Sequence, residues 1–413
     1  MTGHHAGPHV IIVGAGPAGA VLGFLLGRSG VRTTLLERHT DFTREFRGEV
    51  LMPGGLEPFQ QMGLWKQLDD VPHVVIERIK LYANGKHVVE LKFSESILGR
   101  YRPRWVSQPD LLEMLVTEAQ RFPNFKLIRG TAVRDLIHQN DRVVGVTLAG
   151  ESGNRELRGD FVVGSDGRAS KVRARSDLTV TQDPIPMDVV WIKIERPKEG
   201  RQSFDKEGRA YLGRGHLLIC APTPDGKLQL GWLIAKGSFR DLRSRGVPAL
   251  LDEMATHVDA DLAQHLKQYR EDSASPFLLS VVSDHVRSWT APGMLLIGDA
   301  AHTMSPVGAQ GINLAIRDAI VASNHLGPVL RTRPDPSELD AAAQAVQAER
   351  MEEVSTIQRL QAYPPKVVFR DVWWTRALLN LLPYLMRRDV REFRNESVLR
   401  QFAWGVSDVR IAE

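Results

Sequence analysis

Three short apolar runs stand far apart along this chain, and each ends at a glycine: residues 9–13 before Gly14, residues 161–163 before Gly164, and residues 294–297 before Gly298. They are rich in Val, Ile and Leu and do not alternate with polar residues. Strands buried on both faces, as in a parallel sheet, read this way. Residues 21–26 are apolar at helical length, and residues 32–36 give a further strand ending in Glu37. Elsewhere the period changes. Residues 142–148 alternate as a half-buried strand behind a hairpin turn at Gln139-Asn140-Asp141. Residues 189–194, 216–219 and 228–234 read as strands, with Pro224-Asp225-Gly226 a turn between the last two. Residues 55–67, 109–119 and 247–268 read as helices.

This interleaving predicts an α/β chain: a Rossmann-like nucleotide-binding domain, discontinuous over 1–72, 102–178 and 277–330, with an inserted β-sheet domain formed by 73–101 and 179–276. Residues 331–413 form a C-terminal helical region. There, residues 340–360 read as a long helix that Tyr363-Pro364-Pro365 breaks. An apolar stretch over 366–388 follows, ending in Arg387-Arg388. It suits either a helix pair packed on the domain or a membrane-surface contact delivering a greasy substrate.

The first run opens Gly14-Ala15-Gly16-Pro17-Ala18-Gly19. In such a G-x-G-x-x-G turn, Gly14 permits the tight bend, Gly16 lets backbone approach a pyrophosphate, and Gly19 lets helix and strand pack closely. The helix N-terminus offers free N–H groups and its positive dipole end. Glu37 can accept hydrogen bonds from an adenosine ribose and would repel a 2′-phosphate, which suits FAD or NAD rather than NADP. The second run leads to Asp166-Gly167 and the third to Gly298-Asp299. A carboxylate beside a glycine at a strand end can accept from sugar-like hydroxyls, and FAD has a ribityl chain of them where NAD has none.

With these motifs in this order, the chain resembles the aromatic-hydroxylase group of flavoprotein monooxygenases, the p-hydroxybenzoate hydroxylase-like fold, over roughly residues 9–330. The resemblance implies FAD as cofactor, NADH or NADPH as reductant, and oxygen as co-substrate reacting through a flavin C4a-hydroperoxide. It implies that Asp299, with Gly298, meets the ribityl and pyrophosphate region, and that Pro306, Gly308, Gly311, Ile312 and Asn313 lie along the isoalloxazine. It places Arg47 and Gln108 on the cofactor, adds Ala15, Pro17, Ala18, Arg38 and Val133 to its cradle, and gives Asp166 a role in cofactor positioning. Arg47, Pro306 and His302 are the catalytic candidates. Trp191, Lys193, Tyr211, Arg214, Trp232 and Met304 are candidates for the substrate pocket. Those on strands face alternate sides, so about half of them point away.

Composition narrows the partners. Lys and Arg number 53 against 49 Asp and Glu, a net charge of +4, and they are spread rather than gathered into a stripe, which argues against nucleic-acid binding. The single Cys220 excludes an internal disulfide and a thiolate-rich metal site and fits a reducing cytoplasm. His4, His5 and His9 lack the company of a metal site, and none is expected. The polar first residues hold no secretory signal, and no apolar run reaches a membrane span. The leading expectation is an FAD-dependent monooxygenase acting on an aromatic or polyketide-like small molecule. The alternatives are a reductase or dehydrogenase of a lipophilic substrate similar to geranylgeranyl reductases, a flavin-dependent halogenase, or a non-catalytic flavin- or ligand-binding protein. The W-x-W-x-I-P pattern of the halogenases is absent, residues 191–197 being the nearest stretch. Oligomeric state is not legible.

Overall fold

The three apolar runs become neighbouring strands. In the computed structural model, which describes residues 7–43, 50–93, 98, 100–150, 153–183, 186–197, 204–213, 215–269, 276–281, 283–368 and 396–412, His9–Val13 lies at the centre of a six-stranded sheet. Phe161–Gly164 and then Met294–Leu296 stand on one side of it, Arg32–Leu36 and Phe125–Ile128 on the other. All these pairings are parallel, and only the edge strand Thr290–Ala291 runs against its neighbour. Every residue of the central strand is buried, as an unalternating apolar run requires. The helix Pro17–Arg28 packs on Gly311–Leu330 and on Gln108–Ala119.

A seven-stranded sheet forms the second layer, in the order Phe277–Ser280, Met187–Glu195, Lys227–Ala235, His216–Pro222, Glu207–Gly213, Arg78–Ala83, Lys86–Lys92. Its pairings are antiparallel except that between Glu207–Gly213 and Arg78–Ala83. The period of two divides its side chains. Val190, Ile192, Leu230 and Trp232 enter a core with Met254 and Leu262, from the helices Gly246–Ala255 and Ala260–Gln268. Val189, Trp191 and Leu233 occupy the other face, against Val307. A third sheet of three strands carries the hairpin at Asn140 and Asp141, whose φ values of 49° and 59° are those of a type I′ turn.

Three element boundaries differ from the sequence pattern. The stretch 55–67 is two helices, Pro53–Gln61 and Trp65–Asp70, divided near Gly63 with φ 76°. The stretch 247–268 divides at Asp259, whose carboxylate accepts from the N–H groups of Asp261 and Leu262 and starts a new helix. The helix Pro336–Val368 runs through Pro364 and Pro365, where a break was expected. Prolines remove N–H donors, which weakens a helix locally without forbidding its course. Of the expected site residues, Arg47 and Arg214 lie outside the described residues, as does most of 366–388. Among the described residues, no helix is long and apolar enough to cross a membrane.

A buried ionic cluster joins the last helices to the parallel sheet. Arg350 is fully buried, its Nε donates to Asp318 Oδ1 at 2.8 Å, and its Nη1 pairs with Glu353. Arg317 Nη2 pairs with Glu353 Oε1 at 2.9 Å and donates to the Ser407 carbonyl at 2.5 Å. The Val406 N–H donates to the same Glu353 oxygen at 2.7 Å. The segment after the helix Glu396–Trp404 is thereby held against the helix Gly311–Leu330.

Candidate active site

One cavity of about 1650 Å³ runs between the two main sheets, from the first glycine turn to the inserted sheet. Its volume exceeds the roughly 300–1,000 Å³ usual for a single small-molecule pocket.

The glycine turn forms one end. Gly14 has φ 98°, and a methyl group there would lie 2.6 Å from the Ser165 carbonyl oxygen. No atom lies within 4 Å of where a Cβ on Gly16 would stand, so its exposed side is open cavity. Gly19 does not line the cavity, because its bare Cα is pressed against the Gly14 carbonyl. The helix after Gly16 has no side-chain cap, which leaves its first N–H groups for a ligand. Ala15 N–H donates to Glu37 Oε2 at 3.0 Å, so Ala15 shapes the turn from behind. Glu37 also accepts from His39 N–H at 3.1 Å and still borders the cavity, with Pro17, Ala18, Arg38 and Val133.

The middle is bordered by Gln108, Ser165, Asp166, Gly167, Arg168 and Asp299. Asp166 accepts from Ser170 Oγ at 2.5 Å and from Lys171 N–H at 2.6 Å, capping the short helix Lys171–Ala174. Burial pushes its carboxyl above the usual range, against the pull of those donors. Arg168 Nε donates to Asp299 Oδ2 at 3.2 Å, and Nη2 reaches the Met304 carbonyl at 3.5 Å. Arg168 Nη1 is buried and has no partner among the described residues.

At the far end, Gly298 N–H donates to Asp318 Oδ2 at 2.9 Å, anchoring the turn that carries Asp299. Pro306, Gly308, Gly311 and Ile312 border the cavity, and the helix Gly311–Leu330 opens there without a side-chain cap. Asn313 does not. Its side chain accepts from Met52 N–H at 2.9 Å and donates to the Val50 and Ala309 carbonyls, pinning the strand Val50–Leu51 to this loop. Gln310 Nε2 donates to the Gly308 and Phe402 carbonyls, both at 2.8 Å, and Phe402, Ala403 and Trp404 wall this end. The inserted sheet supplies Trp191, Ala210, Ile219, Ala221, Gln229 and Leu279.

Several expected residues stand elsewhere. His302 is 1% exposed and off the cavity wall, with Nε2 2.7 Å from Asp318 Oδ2 and its ring 4.9 Å from Trp289. It follows the turn but points into the core, where the Asp318 carboxylate is its partner. Tyr211 and Trp232 lie on the helix-covered face of their sheet, Tyr211 stacked on Tyr82 at 4.8 Å and bonded to Asp259. Lys193 is on the same face as Trp191 but pairs with Asp225 at 3.2 Å, beyond the cavity. Met304 does border it. Sequence reasoning missed Arg168, Gln229, Phe402 and Trp404. Arg168 was signalled by following Asp166-Gly167, and Gln229 by being a polar residue inside an apolar strand. Phe402 and Trp404 had no local signal.

The donor set fits an extended flavin dinucleotide. Two uncapped helix N-termini stand apart along the cavity, an open glycine lies at one of them, and an unpartnered guanidinium N–H lies between. A family model described as FAD binding domain matches residues 8–355. The chain is 32% identical over 428 aligned positions to the 6-methylpretetramide 4-monooxygenase of Streptomyces rimosus, covering 100% of this chain and 97% of that protein. PqsL of P. aeruginosa, solved with 2-aminobenzoylacetate, superposes with a TM-score of 0.77 at 22% identity, covering 91% of this chain and 99% of that one. The p-nitrophenol 4-monooxygenase PnpA of Pseudomonas putida superposes at 0.77 and 19% identity, covering 97% and 98%. Both share the fold. The chain belongs to the FAD-binding-domain family and is an FAD-dependent flavoprotein monooxygenase of the p-hydroxybenzoate hydroxylase-like fold.

Proposed function

We propose that the protein hydroxylates a planar aromatic or polyketide-like small molecule, with NADH or NADPH as reductant and oxygen as co-substrate. The observation that carries this reading is a continuous cavity whose one end has the donors of a dinucleotide site and whose other end is an apolar sheet face with an indole on it. The name of the Streptomyces rimosus protein, alike over nearly its whole length, supports the polyketide class.

Bound FAD supplies the redox chemistry, accepting a hydride and activating oxygen. The chain's own residues bind and shield it. Gly14, Gly16 and the helix after them hold the pyrophosphate end, and Glu37 meets the adenosine ribose. Asp299 accepts from the ribityl hydroxyls. The uncapped N-terminus at Gly311 stabilises negative charge on the ring. Trp191, Ile219, Leu279 and Phe402 exclude water from the reacting end. The single buried Cys220 suits a reducing compartment such as the cytoplasm.

The test is turnover of aromatic polyketides by the purified flavoprotein with NADH or NADPH under isotopically labelled oxygen gas. Label in a hydroxylated product is the expected result. Equal turnover without oxygen would instead establish a reductase.

A further inference from the structure

Resting on the aromatic-substrate reading above, the inserted sheet carries a more specific feature. On its cavity face the register sets Trp191 opposite Gly231, and Gly231 opposite Ile219. The six-membered ring of the indole packs over Gly231, where any Cβ would collide with it. Two residues along the same strand, and so on the same face, Gln229 stands opposite Lys193 and Ala221. It borders the cavity, is 3% exposed, and its Oε1 has no hydrogen-bond partner among the described residues. A buried amide oxygen left unpaired costs free energy, and native proteins satisfy nearly all such atoms. Of its neighbours on this face, Ile219, Ala221 and Leu279 carry no side-chain donor, the Trp191 indole N–H is not bonded to it, and the Lys193 ammonium opposite it pairs with Asp225 instead.

We propose that Gln229 is the specificity-determining residue of the substrate end. It accepts a hydrogen bond from a phenolic hydroxyl of a fused-ring substrate whose flat face rests on the Trp191 indole. The pairing explains why a polar residue sits inside Leu228-Gln229-Leu230, and why Gly231 keeps the ring of Trp191 low enough to leave room above it. Substrates with a hydroxyl at that edge are retained. Analogues of the same shape without it leave the amide unpaired and are rejected.

The experiment compares 2-naphthol with its near-isostere 2-methylnaphthalene, each titrated into the purified FAD-loaded protein and followed by perturbation of flavin absorbance. The quantity read is the ratio of the two dissociation constants. Gln229→Leu is expected to reduce the preference for the phenol by about tenfold, the worth of one hydrogen bond. Gln229→Met, which keeps an unbranched side chain of similar length, must show the same loss. FAD content is measured for each, because Gln229 lies at the sheet end of the cavity and its replacement leaves the dinucleotide cradle intact. An unchanged ratio in either folded variant overturns the inference while sparing the aromatic-substrate reading. Failure of both probes to perturb the wild-type flavin contradicts that reading itself, and the inference falls with it.

Discussion

Arg350→Met is expected to destabilise the protein by about 3–5 kcal/mol, because it removes the buried cation shared by two buried carboxylates and leaves Asp318 to His302 and Glu353 to Arg317. Arg350, Asp318 and Glu353 have side chains with no solvent exposure, and the guanidinium is bonded to both acids. Burial favours the neutral form of Asp318, but His302 and Arg350 outweigh it and hold the carboxyl down to about 2. Burial likewise opposes ionisation of Glu353, while Arg350 and Arg317 keep it below its usual value. Methionine fills much of the arginine's volume and removes the charge, so the loss reports on the weakened pairing of the two acids rather than on a cavity. For 413 residues, this corresponds to a thermal midpoint lower by roughly 5 °C. The sign with pH follows from the direction of the shifts. Both carboxyls are depressed in the folded protein, so their stabilisation is complete above the ordinary carboxylate range. Asp318 loses its share as pH falls from about 4 toward 2, and Glu353 loses its share below the usual glutamate range. In Arg350→Met that acid loss begins at higher pH, since a cation holding both groups ionised is gone. Thermal melts from pH 7 down to 3 check both statements. A variant within 1 °C of the wild type, roughly the effect of a neutral surface change, would contradict them.

Asp299→Ala is expected to weaken FAD binding roughly a hundredfold, or about 3 kcal/mol, the worth of a charge-assisted pair of hydrogen bonds. The residue sits on a turn fixed from behind by the Gly298–Asp318 hydrogen bond, so its carboxylate is delivered to the cavity by rigid structure. Its loss also takes the acceptor 3.2 Å from Arg168 Nε, leaving that guanidinium the Met304 carbonyl, 3.5 Å from Nη2. Asp299→Asn keeps an oxygen acceptor and loses the charge, so it is expected to retain FAD within about tenfold of the wild type. Titration of apoprotein with FAD, followed by flavin fluorescence, measures all three. A dissociation constant for Asp299→Ala within about threefold of the wild type would remove Asp299 from the cofactor site.

The parallel sheet was legible because its physics is local. An unalternating apolar run can only be buried on both faces, and Gly14, Gly164 and Gly298 mark where such runs end. The faces of the inserted sheet were legible only as two sets. Periodicity groups Val190, Ile192 and Ile194 apart from Val189 and Trp191, but only tertiary packing decides which set meets the helices. Tyr211 and Trp232 fell on the covered side for that reason. His302 is close in sequence to the Asp299 turn, yet its orientation is set by Asp318, sixteen residues on in a different element. Asp166 is similarly ambiguous from sequence, since the carboxylate that borders the cavity also caps the helix after it. Phe402 and Trp404 could not be foreseen, because they reach the cavity only by the docking of a remote helix through Glu353 and Arg317.

The central claim is that one flavin dinucleotide is held along its whole length, from the Gly14 turn to the Gly311 helix. Its most direct measurement is a comparative titration of the apoprotein with FAD and with FMN, which shares the flavin and ribityl phosphate but lacks the adenosine half. The account predicts one FAD bound per chain and FMN weaker by roughly a hundredfold, the share of about 2.7 kcal/mol supplied at the Glu37 end. Equal affinity for the two, or no binding of FAD, would contradict it.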